Sequence, residues 1–309
     1  MDLIHKFVNI LLPAMVFIAL PFLLAPYLIF KFIGYIKRSM WCESVAGKVV
    51  LITGASSGIG EHLAYEYARK GARLALVSRR EDHLRAVATE ACRLGSPDAI
   101  VIPADVSKVQ DCKRFIDEAT NHFGHLDHLV NNAGILQLNM FQDVTQVSDF
   151  TPVMNINFWG SVYSTHFAVP HLRKSKGKII VIASVAGWLP VQKMSFYSAS
   201  KAALIRFYEV LSVELSSEIG VTIVQPGLIK SKMSHDLGSE LQVRFIPIKS
   251  AEGCAKAIVR SACRGDKYLT EPLWMKIAFY LKVLCPELVE WVVNGIALTP
   301  RPPTSKKSI

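Results

Sequence analysis

The chain has 309 residues, about half of them apolar, which is enough for one large domain or two small ones and for a core that needs no disulfides. Its net charge of +10 is spread along the sequence, with no run that interleaves Lys or Arg with aromatics; this suits an anionic cofactor or membrane surface and gives nucleic-acid binding no motif. Cys42, Cys92, Cys112, Cys254, Cys263 and Cys285 lie far apart without a CxxC pair or Cys/His cluster, so no metal site is expected, and with no Asn-x-Ser/Thr sequon they fit reduced thiols facing the cytosol.

Residues 7–30, "FVNILLPAMVFIALPFLLAPYLIF", carry no charge over 24 positions. A straight helix of that length is roughly 36 Å long, against a hydrocarbon core of about 30 Å. The stretch is too long for a secretory h-region and lacks a small-residue cleavage site, so it is expected to remain as an anchor. Lys31, Lys37 and Arg38 follow it while Asp2 offsets Lys6 before it, which leaves the rest of the chain in the cytosol. Pro13, Pro21 and Pro26 each favour a kink, so a bent hairpin in a single monolayer, such as that of a lipid droplet, is the alternative to a spanning helix.

From Gly47 onward, apolar β-branched runs alternate with amphipathic stretches. The runs are "VVLITGA", "RLALVSR", "AIVIPADV", "HLVNNAG", "KIIVIASVAG", "VTIVQPG" and, less clearly, "YLTEP". Helices are expected between them, including one long one ending near Lys176, one opening at "SFYSASK" and one over 250–264. This alternation predicts a Rossmann-type α/β fold, a doubly wound parallel sheet covered on both faces with ligands at the carboxyl ends of its strands.

The first such end is "TGASSGIGE" at residues 53–61. Gly54 permits a tight turn, while Gly58 and Gly60 let backbone and helix N-terminus approach a pyrophosphate. A rival reading takes Gly54 to Gly58 as the GxSxG elbow of a hydrolase with Ser56 as nucleophile and His235 as base, but it leaves Tyr197 and Lys201 unexplained. The second strand ends in Ser78, Arg79 and Arg80 where an NAD site needs an acid, so a 2′-phosphate and hence NADP(H) is expected. Tyr197 and Lys201, four apart at the start of a helix, share one face.

Thr53-Gly-x-x-x-Gly-x-Gly, the "NNAG" of 131–134, Ser184 after "IVIA", Tyr197-x-x-x-Lys201 and Pro226-Gly227 together resemble the short-chain dehydrogenase/reductase family over about residues 47–271, with every motif in order. Within it, the apolar anchor and the "YLTEPLWMKI…LCPELVEW" tail are similar to the plant 11-beta-hydroxysteroid dehydrogenase-like branch, the steroleosins of oil bodies, whose proline-containing hairpin the anchor fits. The resemblance implies a catalytic set of Asn157, Ser184, Tyr197 and Lys201, with Asn157 holding a water beside the lysine. It implies cofactor contacts from Gly54, Ser56, Ser57, Gly58, Ile59 and Gly60, from Ser78, Arg79 and Arg80, and from Asp105 at the adenine with Val106. Asn131, Ala133, Gly134, Tyr197, Lys201, Pro226, Gly227, Ile229 and Ser231 complete the set; Ser231 stands where the family usually has Thr, and its hydroxyl can make the same bond. Ser184 and Tyr197 would hold the substrate oxygen.

The chemistry agrees with that set. A carbonyl reduction needs a hydride on carbon and a proton on oxygen. Free Tyr has a pKa near 10, and bringing it to 7 or 8 takes about 3–4 kcal/mol. A Lys ammonium about 4 Å away supplies about 4 kcal/mol at an effective dielectric near 20. Small residues at Ser198, Ala199 and Ser200 are expected to leave room for the cofactor.

Residues 228–249 have no strong period and would lid the substrate pocket or pack as an ordinary loop; Leu228, Met233, Leu237 and Phe245 suit an apolar ligand. The "LWMKIAFYLKVLCPELVEWVV" that follows is amphipathic and would either lie on a membrane or pack as a last helix. "TPRPPTSKKSI" is expected to be disordered, its Lys306-Lys307 resembling a dilysine retrieval signal. The expected organisation is an anchor over 1–40, an NADP-binding catalytic domain over 41–272 and a C-terminal segment over 273–309. The expected activity is an NADP-dependent hydroxysteroid dehydrogenase at a membrane, endoplasmic reticulum or lipid-droplet surface, acting on a sterol-like lipid and pairing as a homodimer through the helices of Asn157 and Tyr197. The alternatives are another lipid carbonyl (retinal, a long-chain ketone, a 3-ketosphingoid) or a droplet-coat protein with secondary activity.

Overall fold

The computed structural model describes residues 2–40, 42–231, 233 and 247–297. His235, Leu237, Phe245 and the 298–309 tail, including Lys306 and Lys307, lie outside the described residues. The chain divides after Glu43 into two compact units.

The first unit is one helix, α1 (Asp2–Met40), which runs unbroken through Pro13, Pro21 and Pro26. Residues 4–34 are long and apolar enough to cross a membrane, and none of the most apolar window is buried by protein.

The second unit is built on seven parallel strands: β1 (Val49–Thr53), β2 (Arg73–Ser78), β3 (Ala99–Pro103), β4 (His128–Asn131), β5 (Lys178–Ile182), β6 (Gly220–Pro226) and β9 (Tyr268–Glu271). Their order is β3-β2-β1-β4-β5-β6-β9. Ile52 of β1 sits beside Leu76 of β2 on one side and Val130 of β4 on the other. The continuous apolar runs follow from burial on both faces. Val50 and Ile52 point into a core under α2 (Gly58–Ala68), α3 (Glu81–Arg93) and α8 (Ala251–Arg264), while Val49 and Leu51 point into a second core under α4 (Val109–Phe123), α6 (Gly160–Ser175) and α7 (Ser195–Glu214). The doubly wound parallel sheet expected from the sequence is the fold.

The expected long helix before Lys176 is broken. Two short helical turns, Phe141–Asp143 and Val147–Phe150, precede α5 (Thr151–Met154), and a π-turn over Asn155–Trp159 joins α5 to α6. A π-turn inserts one residue and re-aims the side chains around it, and such turns recur at functional sites. Beyond β6, a two-strand ladder pairs β7 (Ile229–Lys230) with β8 (Lys249–Ser250). The C-terminal amphipathic stretch forms two helices, α9 (Met275–Leu284) and α10 (Pro286–Ala297), because Pro286 suits a first helical position and cannot continue α9.

Candidate active site

The order of the sheet reverses between β1 and β4, and connections leave those strands in opposite directions. That divergence opens a crevice at their carboxyl ends. A pocket of about 410 Å³ occupies it.

One wall is the turn from β1 to α2. Gly54 has φ of +66°, and a Cβ there would come within 2.8 Å of Ala133 Cα. A Cβ on Gly60 would sit 2.3 Å from Gly54 O, so α2 can close on the turn only as glycine. The turn is tied to β4 by Thr53 Oγ1, which accepts from Asn132 N (3.0 Å) and Ala133 N (3.1 Å). Asn132 Nδ2 in return donates to Thr53 O (2.9 Å) and Gly54 O. Ser57, at the N-cap of α2, makes no side-chain cap, which leaves the first-turn N–H groups facing the crevice. The second wall, from the ends of β2 and β3, brings Ser78, Arg79, Arg80, Asp105 and Val106. The Arg80 guanidinium donates to Ser56 Oγ (2.9 Å) and Ser57 Oγ (2.7 Å). Burial pushes the Asp105 carboxyl up, but bonds from Ser107 and the charges of Arg79 and Lys108 leave it below its ordinary value. Uncapped helix N–H groups, paired hydroxyls, two guanidiniums and glycines that admit backbone approach are a donor set for a dinucleotide's phosphates.

The far end of the pocket carries the reactive groups. Ser184, at the end of β5, caps a short turn by accepting from Ala186 N (3.1 Å). Tyr197 and Lys201 both project from the first two turns of α7, as their spacing of four requires, and both are buried. Lys201 Nζ donates to Ile182 O (2.8 Å) and lies 5.7 Å from the centre of the Tyr197 ring. Asn157, on the π-turn, accepts from Ile135 N (2.8 Å) and donates to Ile135 O and to Ser200 Oγ (3.0 Å each). A Cβ on Gly134 would lie 3.3 Å from Asn157 Oδ1 and 3.6 Å from Lys201 Nζ, so the amide and the ammonium converge on one point of the β4 loop.

Burial lowers the Lys201 ammonium to about 8. It also raises the Tyr197 phenol above its ordinary value, against a hydrogen bond from Ser184 that lowers it. This differs from the expected depression of Tyr197 by Lys201. Burial is the larger influence, because it takes the phenolate out of water.

Of the residues singled out in the sequence, Gly54, Ser56, Ser57, Gly58, Ile59, Ser78, Arg79, Arg80, Asp105, Val106, Ala133, Gly134, Ser184, Tyr197, Lys201, Pro226, Gly227, Ile229 and Ser231 line the one pocket. Gly60, Asn131 and Asn157 stand behind it; Asn131 Nδ2 donates to Thr165 Oγ1 and Tyr208 OH (2.9 Å each). Ser198, Ala199 and Ser200 do not line the pocket. Ser200 instead carries a buried bond to Tyr197 O (2.7 Å) and receives one from Asn157. Sequence reasoning missed Asn132, Thr53 Oγ1 and Ser200 as linking groups; each lay inside a quoted motif, but only three-dimensional contact reveals the link. The same pocket has an apolar lining in Ile135, Leu136, Met194, Leu228 and Met233.

The family model described as short chain dehydrogenase matches residues 48–242. The chain is 51% identical over 319 residues to the "11-beta-hydroxysteroid dehydrogenase A" of Arachis hypogaea, covering 99% of this chain and 91% of that one. It is 54% identical over 295 residues to the "11-beta-hydroxysteroid dehydrogenase-like 4A" of Arabidopsis thaliana, covering 94% and 98%. Among solved structures, a dehydrogenase/reductase from Sinorhizobium meliloti 1021 superimposes with a TM-score of 0.67 at 32% identity, over 74% of this chain and 94% of that one. A short-chain type dehydrogenase/reductase from Mycobacterium marinum does so with a TM-score of 0.68 at 28% identity and the same coverage. The fold implies a nicotinamide cofactor, and the chain belongs to the short-chain dehydrogenase/reductase family of oxidoreductases.

Proposed function

We propose that this chain is an NADP(H)-dependent hydroxysteroid dehydrogenase, held on a membrane or lipid-droplet surface by α1 with its catalytic body in the cytosol. The observation that carries the reading is the convergence of Ser184, Tyr197 and Lys201 at the end of a glycine-walled pocket that also holds Arg79 and Arg80. The names of the relatives support a steroid-like substrate.

The nicotinamide supplies the hydride, or accepts it, when bound. The chain's own residues handle the oxygen and its proton. Tyr197 OH gives the proton to the carbonyl oxygen in reduction and takes it back in oxidation. Ser184 Oγ holds that oxygen and stabilises charge developing on it. Lys201, charged below about pH 8, offsets the phenolate while Tyr197 is deprotonated. Asn157 is a positioning residue: it fixes the Ile135 backbone and, through Ser200, the first turn of α7. Arg79, at the end of β2 where an NAD site needs an acid, favours a cofactor bearing a 2′-phosphate. The walls Ile135, Leu136 and Met194 exclude water and suit a flat apolar substrate with one polar handle.

The test is NADPH oxidation by detergent-solubilised chain against a panel of ketosteroids, retinal and long-chain ketones, with Tyr197→Phe beside it. The expected result is turnover of a ketosteroid that falls by roughly 10²–10⁴-fold in the variant. Turnover of retinal or a long-chain ketone alone moves the substrate to another lipid carbonyl. Turnover that survives Tyr197→Phe removes the mechanism.

A further inference from the structure

α9 lies past the residues that the family model matches, yet one of its faces bears on both segments that hold Ser184. Met275, Phe279 and Lys282 stand at i, i+4 and i+7, which puts them on one side of the helix. Met275 is buried, and its Cγ would lie 3.4 Å from a Cβ on Gly227. Phe279 meets the Trp188 ring edge-on at 5.2 Å, and Lys282 Nζ donates to Trp188 O.

Gly227 and Trp188 adjoin the two groups that bond the Ser184 hydroxyl. Ser184 Oγ accepts from Ala186 N (3.1 Å) and donates to Pro226 O (3.4 Å), the residue before Gly227. Ala186 belongs to the short turn over residues 185–187, and Trp188 closes it. The turn is held by Gly187 N on Ser184 O (3.1 Å) and by Trp188 N and Leu189 N on Val185 O (3.1 and 2.8 Å). A Cβ on Gly187 would lie 3.0 Å from Lys201 C, so the inner side of the turn rests on the α7 backbone. At its outer end, so short a turn has no donor of its own for the last carbonyl, and an ammonium fits there. The bond from Ala186 N fixes one lone pair of Ser184 Oγ, and the hydroxyl proton can turn from Pro226 O toward a substrate oxygen. A displaced turn therefore displaces the donor that the reaction uses.

We propose that Lys282 is a positioning residue for Ser184. Met275 backs the Gly227 side of the serine, while Lys282 and Phe279 clasp the outer end of its turn. The far side of the turn is already fixed on α7, so the clasp removes the remaining freedom of the Ser184–Ala186 pair. A segment outside the matched family region thus sets the hydroxyl that holds the substrate oxygen. The inference rests on the reading of Ser184 given under the proposed function. A lysine that merely docked α9 on the body would contribute to stability and leave the serine alone.

The test uses the full chain in detergent, with Lys282→Met, Lys282→Arg, Ser184→Ala and the Lys282→Met/Ser184→Ala double variant. Methionine keeps the apolar stem of the lysine and loses the donor. Hydrogen exchange reads the clasp without any turnover. In Lys282→Met the amides of residues 186–189 are expected to exchange about fivefold faster or more, with β1 and β4 at parental rates and Lys282→Arg close to the parent. Unchanged exchange at 186–189 overturns the inference. Acceleration spread equally over β1 and β4 makes Lys282 a general stabiliser and also overturns it. NADPH oxidation with a ketosteroid reads the consequence. Lys282→Met is expected to lower kcat roughly tenfold, as a displacement below 1 Å would, with the Kd for NADPH unchanged. The same substitution is expected to lower kcat no further once Ser184 is alanine, because the two act through one hydroxyl. Effects that multiply in the double variant overturn the inference and leave the role of Ser184 standing. A Ser184→Ala variant with parental kcat removes that role and the inference with it.

Discussion

Arg79 and Arg80 stand side by side in the sequence but face different tasks. Arg80 is spent on Ser56 and Ser57, whereas Arg79 lines the pocket beside Asp105. Arg79→Ala is therefore expected to raise the KM for NADPH tenfold or more, on the order of 1.4 kcal/mol, and to leave NADH nearly unaffected, as initial rates with each cofactor will show. Lys201 carries a different prediction. Its native value of about 8 lies below the ordinary 10.5, so charging it in the fold is unfavourable. The unfolded chain binds more protons between these values, and stability contributed by this group rises as pH climbs from 8 to 10.5. This lowering corresponds to about 3 kcal/mol of destabilisation at pH 7, of which a lost bond to Ile182 O offsets about 1. Lys201→Met is expected to unfold at a higher temperature than the parent at pH 7, with the gap closing near pH 10, while turnover is lost. The Tyr–Lys pairing was legible because helix periodicity alone puts positions four apart on one face. The direction of the Tyr197 shift was not, because a sequence shows the neighbouring charge but not the burial of both groups.

At the scale of elements, the site depends on two close approaches. The first is α2 against its own turn, through Gly60. Gly60→Ala brings a methyl to 2.3 Å from Gly54 O, which is backbone and cannot swing away. The variant is expected to bind NADPH at least tenfold more weakly and to lose a few kcal/mol of stability, in the range of overpacked cores, as fluorescence titration and thermal unfolding will measure. The second is the π-turn, which aims Asn157 at Ile135 and Ser200. The glycine turn was legible, since glycine is itself the signal for a tight approach. The π-turn was not. "MNINFWG" has the apolar content of an ordinary helix, and the partners of Asn157 on the turn, Ile135 and Ser200, belong to distant parts of the chain. The division of one C-terminal amphipathic stretch into α9 and α10 lies between these cases, because Pro286 marked the break.

For the molecule as a whole, alternating apolar runs announced a parallel sheet, yet neighbour order was beyond them: a run buried on both faces looks the same in the middle as near the edge. The chain divides after Glu43 into two compact units. On the membrane reading, removal of residues 1–40 is expected to abolish carbonate-resistant membrane association while leaving cooperative unfolding and NADPH affinity within about twofold, roughly 0.4 kcal/mol. Sedimentation after carbonate washing and cofactor titration check the two halves of that statement. An intact membrane fraction after the deletion would assign anchorage to another segment.

The pairing of β1 with β4 also has a consequence in time. Val50 waits for His128 and Leu51 for Leu129, close to 80 residues later. At a synthesis rate of about 5–20 residues per second, the ribosome takes roughly 4–16 s to supply that partner. Throughout that interval α1 has already been made, and "VVLIT", whose five residues end fully buried, has no sheet to enter on one side. The most hydrophobic strand of the body is thus displayed beside a helix apolar enough to insert in lipid. During synthesis that edge of β1 stays unpaired until β4 emerges.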